Sequence, residues 1–257
     1  MQVETIAQMI EELAPLSLAM DFDHVGLMVG DSRAAVSKVL IALDLTEAVV
    51  EEAVAKGAEM IIAHHPFLFD PLFSVTDKTV KGRIVMQLIK NNIAYYAAHT
   101  NMDIAKGGIN DYLFDLLKLK DREILEPVSE DDGLGRIGCL DHAMDPDSFL
   151  RYVKTCLGCS RVLYTGQTQT IHRVAICSGS GTSLAERAVA LGADALITAD
   201  MKYSVAQALE GIPLLLVDCG HYGTEHFFCD IVANLLTDKV AVEIAESNCD
   251  YIKELTI

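Results

Sequence analysis

Short apolar runs alternate along the chain with stretches in which apolar residues recur every three or four positions. This is the pattern of strands separated by amphipathic helices. Strands are expected at 38–43, 60–63, 93–98, 136–140, 174–177, 195–198, 213–217 and 240–244. Helices are expected at 47–56, 80–91, 147–157, 183–191, 203–210 and 225–236, with an N-terminal helix carrying Val3, Ile6, Ile10 and Leu13 and closing near Pro15. Such alternation defines an α/β protein. Residues 127–135 (PVSEDDGLG) are acidic and glycine-containing and form the expected linker. The division that follows is a first α/β lobe of residues 1–126 and 219–257 and a second of residues 127–218.

A repeat underlies the pattern. Residues 38–65 (KVLIALDLTEAVVEEAVAKGAEMIIAHH) align without gaps on 173–200 (RVAICSGSGTSLAERAVALGADALITAD). Val39, Ile41, Glu51, Ala53, Val54, Ala55, Gly57, Ala58 and Ile62 recur as Val174, Ile176, Glu186, Ala188, Val189, Ala190, Gly192, Ala193 and Ile197. Each copy reads strand, loop, helix, glycine, strand, with Gly57 and Gly192 at helix C-termini. Common βαβ ancestry and convergence of two ordinary βαβ units both produce such a match; the absence of gaps favours ancestry. The copies end differently, in His64-His65-Pro66 and Ala199-Asp200-Met201. In open α/β sheets ligands gather beyond the carboxyl ends of the strands, so both endings lie where chemistry is placed.

The candidate ligands follow from that rule. His64 and His65 come after the strand MIIA, His99 and Asp103 after IAYYAA, and His221 and Glu225 after PLLLVD. At a strand end, with Pro66 holding His65 extended, both adjacent imidazoles can turn into one cleft. His221 and Glu225 are four residues apart and share a helix face. Imidazole with carboxylate suits Zn, Fe, Mn, Co or Ni better than Ca or Mg, and too few thiolates are present for a closed structural zinc site. A mixed cluster with open positions resembles a dinuclear hydrolytic centre, in which two cations lower the pKa of water. Glu225 is also the candidate proton relay. His99 reads as a partner that orients Asp103 or another ligand. His142, His172 and His226 read as structural, and Asp23–Leu27 as a turn. Residues 178–181 (SGSG) fit either an anion-cradling loop or a plain strand-to-helix turn.

Charge narrows the function. With 37 acidic and 20 basic residues the chain has a net charge of -17. That argues against sequence-independent nucleic-acid binding and against docking on anionic lipid. No apolar run reaches the roughly 18 residues of a membrane helix. The N-terminus lacks a signal-peptide pattern, and seven scattered cysteines read as reduced thiols. The expected location is the cytoplasm. Cys156 and Cys159 form a lone CxxC pair and read as structural.

The motifs DHVGLMVG, LIALDLTEAVVEEAVAKGAEMIIAHHPFLF, YAAHTNMDIAKGGIND, SGSGTSLAERAVALGADALITADMKY and LLLVDCGHYGTEHF occur in this order. Through them the chain resembles the GTP cyclohydrolase I type 2 homolog family over nearly its whole length. The resemblance implies a two-lobed fold of two related α/β units, with a metal site in the cleft between them. It further implies a ring-shaped homohexamer and two divalent metal ions per subunit. The family's ligand pattern falls on His64, His65, Asp103, His221 and Glu225, and His99 matches the start of its HTN-x-D motif. Phe22-Asp23-His24 stands where the family usually has Trp-Asp-Asn. The implied activity is that of a metal-dependent hydrolase acting on a purine nucleotide or related small molecule. The alternative is a non-catalytic metal-binding or regulatory ring. Arg173 and Lys202 are candidate phosphate partners.

Overall fold

The structure, a computed structural model, describes residues 1–253 and 255. The chain forms two compact units. The first comprises Met1–Met102 and His226–Cys249; the second comprises Asp103–Glu225 and the residues from Asp250 onward. In chain order the first unit contains α1 (Val3–Leu13), β1 (Gly26–Val29), β2 (Lys38–Ala42), α2 (Glu47–Lys56), β3 (Met60–Ala63), α3 (Val80–Lys90) and β4 (Ala94–Ala97). The crossing lies within α4 (Thr100–Ile104). Then come α5 (Ile109–Leu116), β5 (Lys120–Pro127), β6 (Gly133–Met144), α6 (Pro146–Leu157), β7 (Leu163–Thr165), β8 (Ile171–Ile176), α7 (Ala185–Ala190), β9 (Ala195–Thr198), α8 (Tyr203–Ala208), β10 (Leu215–Asp218) and α9 (His221–Glu225). The chain returns to the first unit for α10 (Phe228–Leu236) and β11 (Ala241–Ile244).

Each unit is built on its own sheet. The first has the strand order β1-β4-β3-β2-β11, parallel except for the edge strand β1. The second has the order β5-β6-β8-β9-β10-β7, with β8, β9 and β10 parallel and the flanking strands antiparallel. Strands β3, β9 and β10 are buried along their whole length. That explains their unbroken apolar sequences, since a parallel strand is covered on both faces. In the first unit Leu40, Ile61 and Tyr95 share a core cluster with Val49 and Val50 of α2 and Ile84 and Leu88 of α3. In the second, Ala175, Leu196 and Leu216 cluster with Ala185 and Ala188 of α7.

The repeat is visible in the strand register. Val39 lies opposite Met60 and Ile41 opposite Ile62; their aligned counterparts Val174 and Ile176 lie opposite Ala195 and Ile197. The likeness also runs beyond the aligned segment. In each unit the next strand, β4 or β10, pairs parallel with the second strand of the repeat and carries an antiparallel edge strand, β1 or β7. In each, it is followed by a five-residue helix, α4 or α9.

Local chemistry sets the helix ends. The Thr46 side chain caps α2 by accepting from the Val49 N–H, and Gly57 closes the helix at φ +69°. Asp145 caps α6 in the same way, with Pro146 at its first position.

Several expectations change. Residues 127–135 are a hairpin turn and not a linker, because Pro127 pairs with Gly133 and the Val128 N–H donates to Asp132 O. Strand β5 is thereby joined to β6, and the boundaries fall at 102/103 and 225/226 instead of 126/127 and 218/219. The helix expected over 225–236 is α10, which begins at Phe228; Glu225 instead closes the separate short helix α9.

A carboxylate fastens the C-terminal end of the first unit. Glu52 accepts from the backbone N–H groups of Glu246 and Ser247 and from the Ser247 hydroxyl, and it pairs with Lys56 Nζ at 2.8 Å. Burial opposes its charge, but the hydrogen bonds from Lys56 and Ser247 outweigh it and hold the carboxyl at about 2, against 4.5 when unperturbed. The folded value lies below the unfolded one, so this contribution is fully present above pH 4.5 and disappears as the pH falls toward 2. Glu52→Gln is expected to lower stability at pH 7 by about 1–2 kcal/mol. In denaturant titrations the gap from the parent protein should narrow steadily below pH 4.5.

Candidate metal centre

In the first unit three histidines stand just past strand ends. His64 and His65 follow β3 and His99 follows β4; their ring centroids are 5.0, 5.2 and 5.6 Å apart. One ring nitrogen from each lies within 4.8 Å of the others. Each ring is turned by an oxygen at Nδ1. His64, fully buried, has Nδ1 2.8 Å from the Ala98 carbonyl. His65 Nδ1 is 2.7 Å from Asp44 Oδ1, and His99 Nδ1 is 3.0 Å from Asp23 Oδ1. A carbonyl or carboxylate oxygen only accepts, so Nδ1 carries the proton in His64 and His65. In these two the lone pair is then on Nε2, the arrangement by which a histidine is presented to a metal. Burial opposes the charge of Asp23, but the hydrogen bonds from His99 and Thr100 outweigh it and hold its carboxyl at about 2. It is an anion throughout the physiological range.

The second unit, taken by itself, carries buried carboxylates and a further imidazole. Asp103 and Glu225 are the first and last residues of the long segment of this unit. Asp103 Oδ1 accepts from the Ser178 hydroxyl at 2.6 Å. Ser178 is held in turn by Asn110, whose Oδ1 accepts from the Ser178 N–H and whose Nδ2 donates to Ser178 Oγ and to Asp103 O. His221 opens α9, with Nδ1 2.7 Å from Asp200 Oδ2 and Nε2 3.0 Å from Glu225 Oε2. Glu225 is only 3 % exposed. Burial works against charge on His221, but hydrogen bonds to Glu225 and Asp200 outweigh it and raise the imidazole to about 9.

The loop after β8 is shaped by the same residues. Gly179 has φ +58°, donates its N–H to Thr224 Oγ1 and lies so close to Glu225 that a Cβ would be 2.1 Å from Oε1. The SGSG segment is thus a turn whose serine holds Asp103 and whose glycine makes room for Glu225.

Orienting groups are what the sequence reading missed. Asp44 and Asp23 bear on His65 and His99, and Asp200 and Ser178 on His221 and Asp103. Asp23 was expected only to turn the chain. Asp200 did carry a signal, being the aligned counterpart of His65 at the second strand end of the repeat. Arg173 is engaged structurally, donating to Glu123 Oε1 and Leu191 O. His226 stacks on Phe227, with ring centroids 3.9 Å apart. His142 and His172 are exposed, and neither is in a metal-capable group among the described residues.

Ser178→Ala tests the support of Asp103. It removes the hydroxyl donor but no candidate ligand. Titration with Mn(II) is expected to show affinity about 10- to 100-fold weaker than that of the parent protein.

Imidazoles with Nδ1 anchored on oxygen, together with buried carboxylates, define a protein with His/Asp/Glu clusters able to hold a metal ion. The chain belongs to the Duf34/NIF3 (NGG1p interacting factor 3) family, whose profile matches residues 1–251. It is 40 % identical over 228 residues to a GTP cyclohydrolase 1 type 2 homolog of Clostridium perfringens, covering 88 % of this chain and 87 % of that one. It is 39 % identical over 242 residues to a protein of the same name from Lactococcus lactis subsp. lactis, covering 92 % of each. Among solved structures it is similar to a Staphylococcus aureus protein (TM-score 0.92, 28 % identity) and to a Bacillus cereus protein related to NIF3 (TM-score 0.90, 26 % identity), covering 99 % of both chains in each case. No helix among the described residues is long and apolar enough to cross a membrane.

Proposed function

We propose that the protein is a dinuclear divalent-metal hydrolase of a purine nucleotide or related small molecule, with His64, His65, Asp103, His221 and Glu225 as metal ligands. The observation that carries the reading is the anchoring of each proposed histidine ligand at Nδ1 by an oxygen, the support that orients a metal-binding imidazole. The donor set fits Zn, Fe, Mn, Co or Ni. Such ions, when bound, supply Lewis-acid activation of water and of a substrate oxygen. Asp44 and Asp200 orient His65 and His221, and Ser178 and Asn110 orient Asp103. His99, held by Asp23, assists beside His64 and His65. Glu225 Oε2 faces His221 Nε2 and is the oxygen at which a proton is held in relay.

The name shared by the relatives supports a purine nucleotide as the first substrate to test. In the reaction proposed, one water adds at C8 of the guanine ring and a C8–N bond breaks to leave an N-formyl group, which a second water hydrolyses to formate and the free amine of the opened pyrimidine. The metal-loaded protein is incubated with GTP and formate release is followed. Turnover is expected with at least one of Zn, Fe, Mn, Co and Ni. His65→Ala should abolish both turnover and stoichiometric metal by elemental analysis. Absence of formate with all five metals would sink the cyclohydrolase reading, and unchanged metal in His65→Ala would sink the ligand assignment.

A further inference from the structure

Two large aromatic rings of the first unit are open to solvent, Phe22 at 58 % and Phe69 at 39 % exposure. They are near neighbours, with centroids 6.3 Å apart and planes at 53°. His24 joins them, its ring 6.5 Å from Phe69 in an edge arrangement. Scattered single apolar residues are ordinary on a protein surface; neighbouring exposed rings rooted beside buried polar chemistry are not.

The roots lie in the histidine cluster. Phe22 and His24 flank Asp23, which is buried with its carboxylate on His99 Nδ1 and on the Thr100 N–H and hydroxyl. The His24 N–H donates to Asp23 Oδ1 and fixes the start of that residue. Phe69 belongs to the loop that leaves His65. Tyr95 anchors the beginning of that loop, its hydroxyl donating to His65 O and accepting from the Phe67 N–H. The two exposed rings are therefore carried by the residues that also position His99 and His65. The segments bearing them, DFDH at 21–24 and PFLFD at 66–70, contain three aspartates and no lysine or arginine. Charge there disfavours a phosphate and leaves the flat, uncharged end of a ligand as the complement.

We propose that Phe22, Phe69 and His24 form a stacking face for the planar heterocyclic ring of the small molecule bound at the metal centre. This rests on the hydrolase reading above and names the part of the substrate that this face receives. An aromatic face accepts any flat ring through its π surface, so it selects for a nucleobase-like group without choosing among bases.

The test is equilibrium binding to the metal-loaded full chain, by calorimetry, with guanosine, GTP and inorganic triphosphate as probes. Two double variants are compared with the parent protein. Phe22→Leu with Phe69→Leu keeps apolar volume and removes the π faces; Phe22→Tyr with Phe69→Tyr keeps the rings. The leucine variant is expected to bind guanosine and GTP about 5- to 150-fold more weakly, the range for loss of one stacked base. Triphosphate affinity, metal content and sedimentation should be unchanged, and the tyrosine variant should bind as the parent does. Equal guanosine affinity in the leucine variant and the parent overturns the proposal, as does absence of guanosine binding by the parent. A change of sedimentation in the leucine variant also overturns it, since the rings would then pack between copies of the chain. GTP turnover, assayed separately, keeps the two readings apart. Ring-dependent binding without turnover defeats the hydrolase and leaves the stacking face, and turnover with ring-independent binding does the reverse.

Discussion

Arg136→Ala is expected to destabilise the second unit by about 3–5 kcal/mol, the range for breaking a buried ion pair by removing one partner. Arg136 is 2 % exposed, and all three guanidinium nitrogens donate. Nε donates to Asp111 Oδ1 at 2.5 Å, Nη1 to the carbonyls of Gly133 and Gly135, and Nη2 to Ala105 O. Alanine would leave the buried Asp111 carboxylate without its principal cation, and three carbonyls without this donor. Arg136→Lys should recover only part of the loss, because an ammonium lacks the planar fork that reaches these acceptors together. Burial opposes the charge of Asp111, but the hydrogen bonds from Arg136 and the Gly107 N–H outweigh it and hold its carboxyl below the usual 3.8. Its contribution is complete above pH 3.8 and falls as the pH drops through the lower folded value. Denaturant titration at pH 7 measures the loss; a change below about 1 kcal/mol would show that water replaces the guanidinium at little cost. The pair also matters for a candidate ligand. Ala105 and Gly107 lie between Asp103 and α5, so the guanidinium and the Asp111 carboxylate fasten the turn that follows Asp103.

The same contrast between packing and orientation decides what could be read from the sequence. Strands β2, β3, β4, β9 and β10 are central and buried, and their apolar runs mark them within a residue or two; β8 begins three residues before its expected start, where His172 and Arg173 are not buried. Strands β1, β5 and β7 were missed. All three lie at sheet edges, where pairing needs little apolar sequence. β5 (KDREILEP) is exposed over most of its length and has the composition of a loop. The repeat was legible because βαβ register depends on the same buried positions in both copies. The candidate ligands were legible because strand ends and helical spacing can be counted along a chain. Asp23 and Asp44 were not, since each acts on a histidine distant in sequence, through a contact that only the folded sheet creates. The residues that aim the ligands are thus the least visible part of the site.

Gly179→Ala is expected to impair metal binding far more than folding, although it alters no candidate ligand. Gly179 has φ +58°, where an alanine is strained by roughly 1 kcal/mol. Its backbone has little freedom to retreat. The N–H donates to Thr224 Oγ1, and the carbonyl accepts from the N–H groups of Gly181 and Ala199 and from the Thr198 hydroxyl. The new Cβ would be 2.1 Å from Glu225 Oε1 and 3.2 Å from its Cδ, so the carboxylate has to swing away. His221 Nε2 then loses the oxygen that stands 3.0 Å from it, and Glu225 leaves the position assigned to it as a ligand. Gly192→Ala supplies the control. Gly192 has φ +76° in the same unit, but a Cβ there meets nothing within 4 Å, so it bears the backbone strain without the collision. Both variants should lose about 1–2 kcal/mol of stability in denaturant. Gly192→Ala should retain metal by elemental analysis and Mn(II) titration, whereas Gly179→Ala should bind about 10- to 100-fold more weakly or lose a metal equivalent. Equal metal binding by the two variants would remove Glu225 from the candidate ligand set, because the new Cβ displaces that carboxylate first.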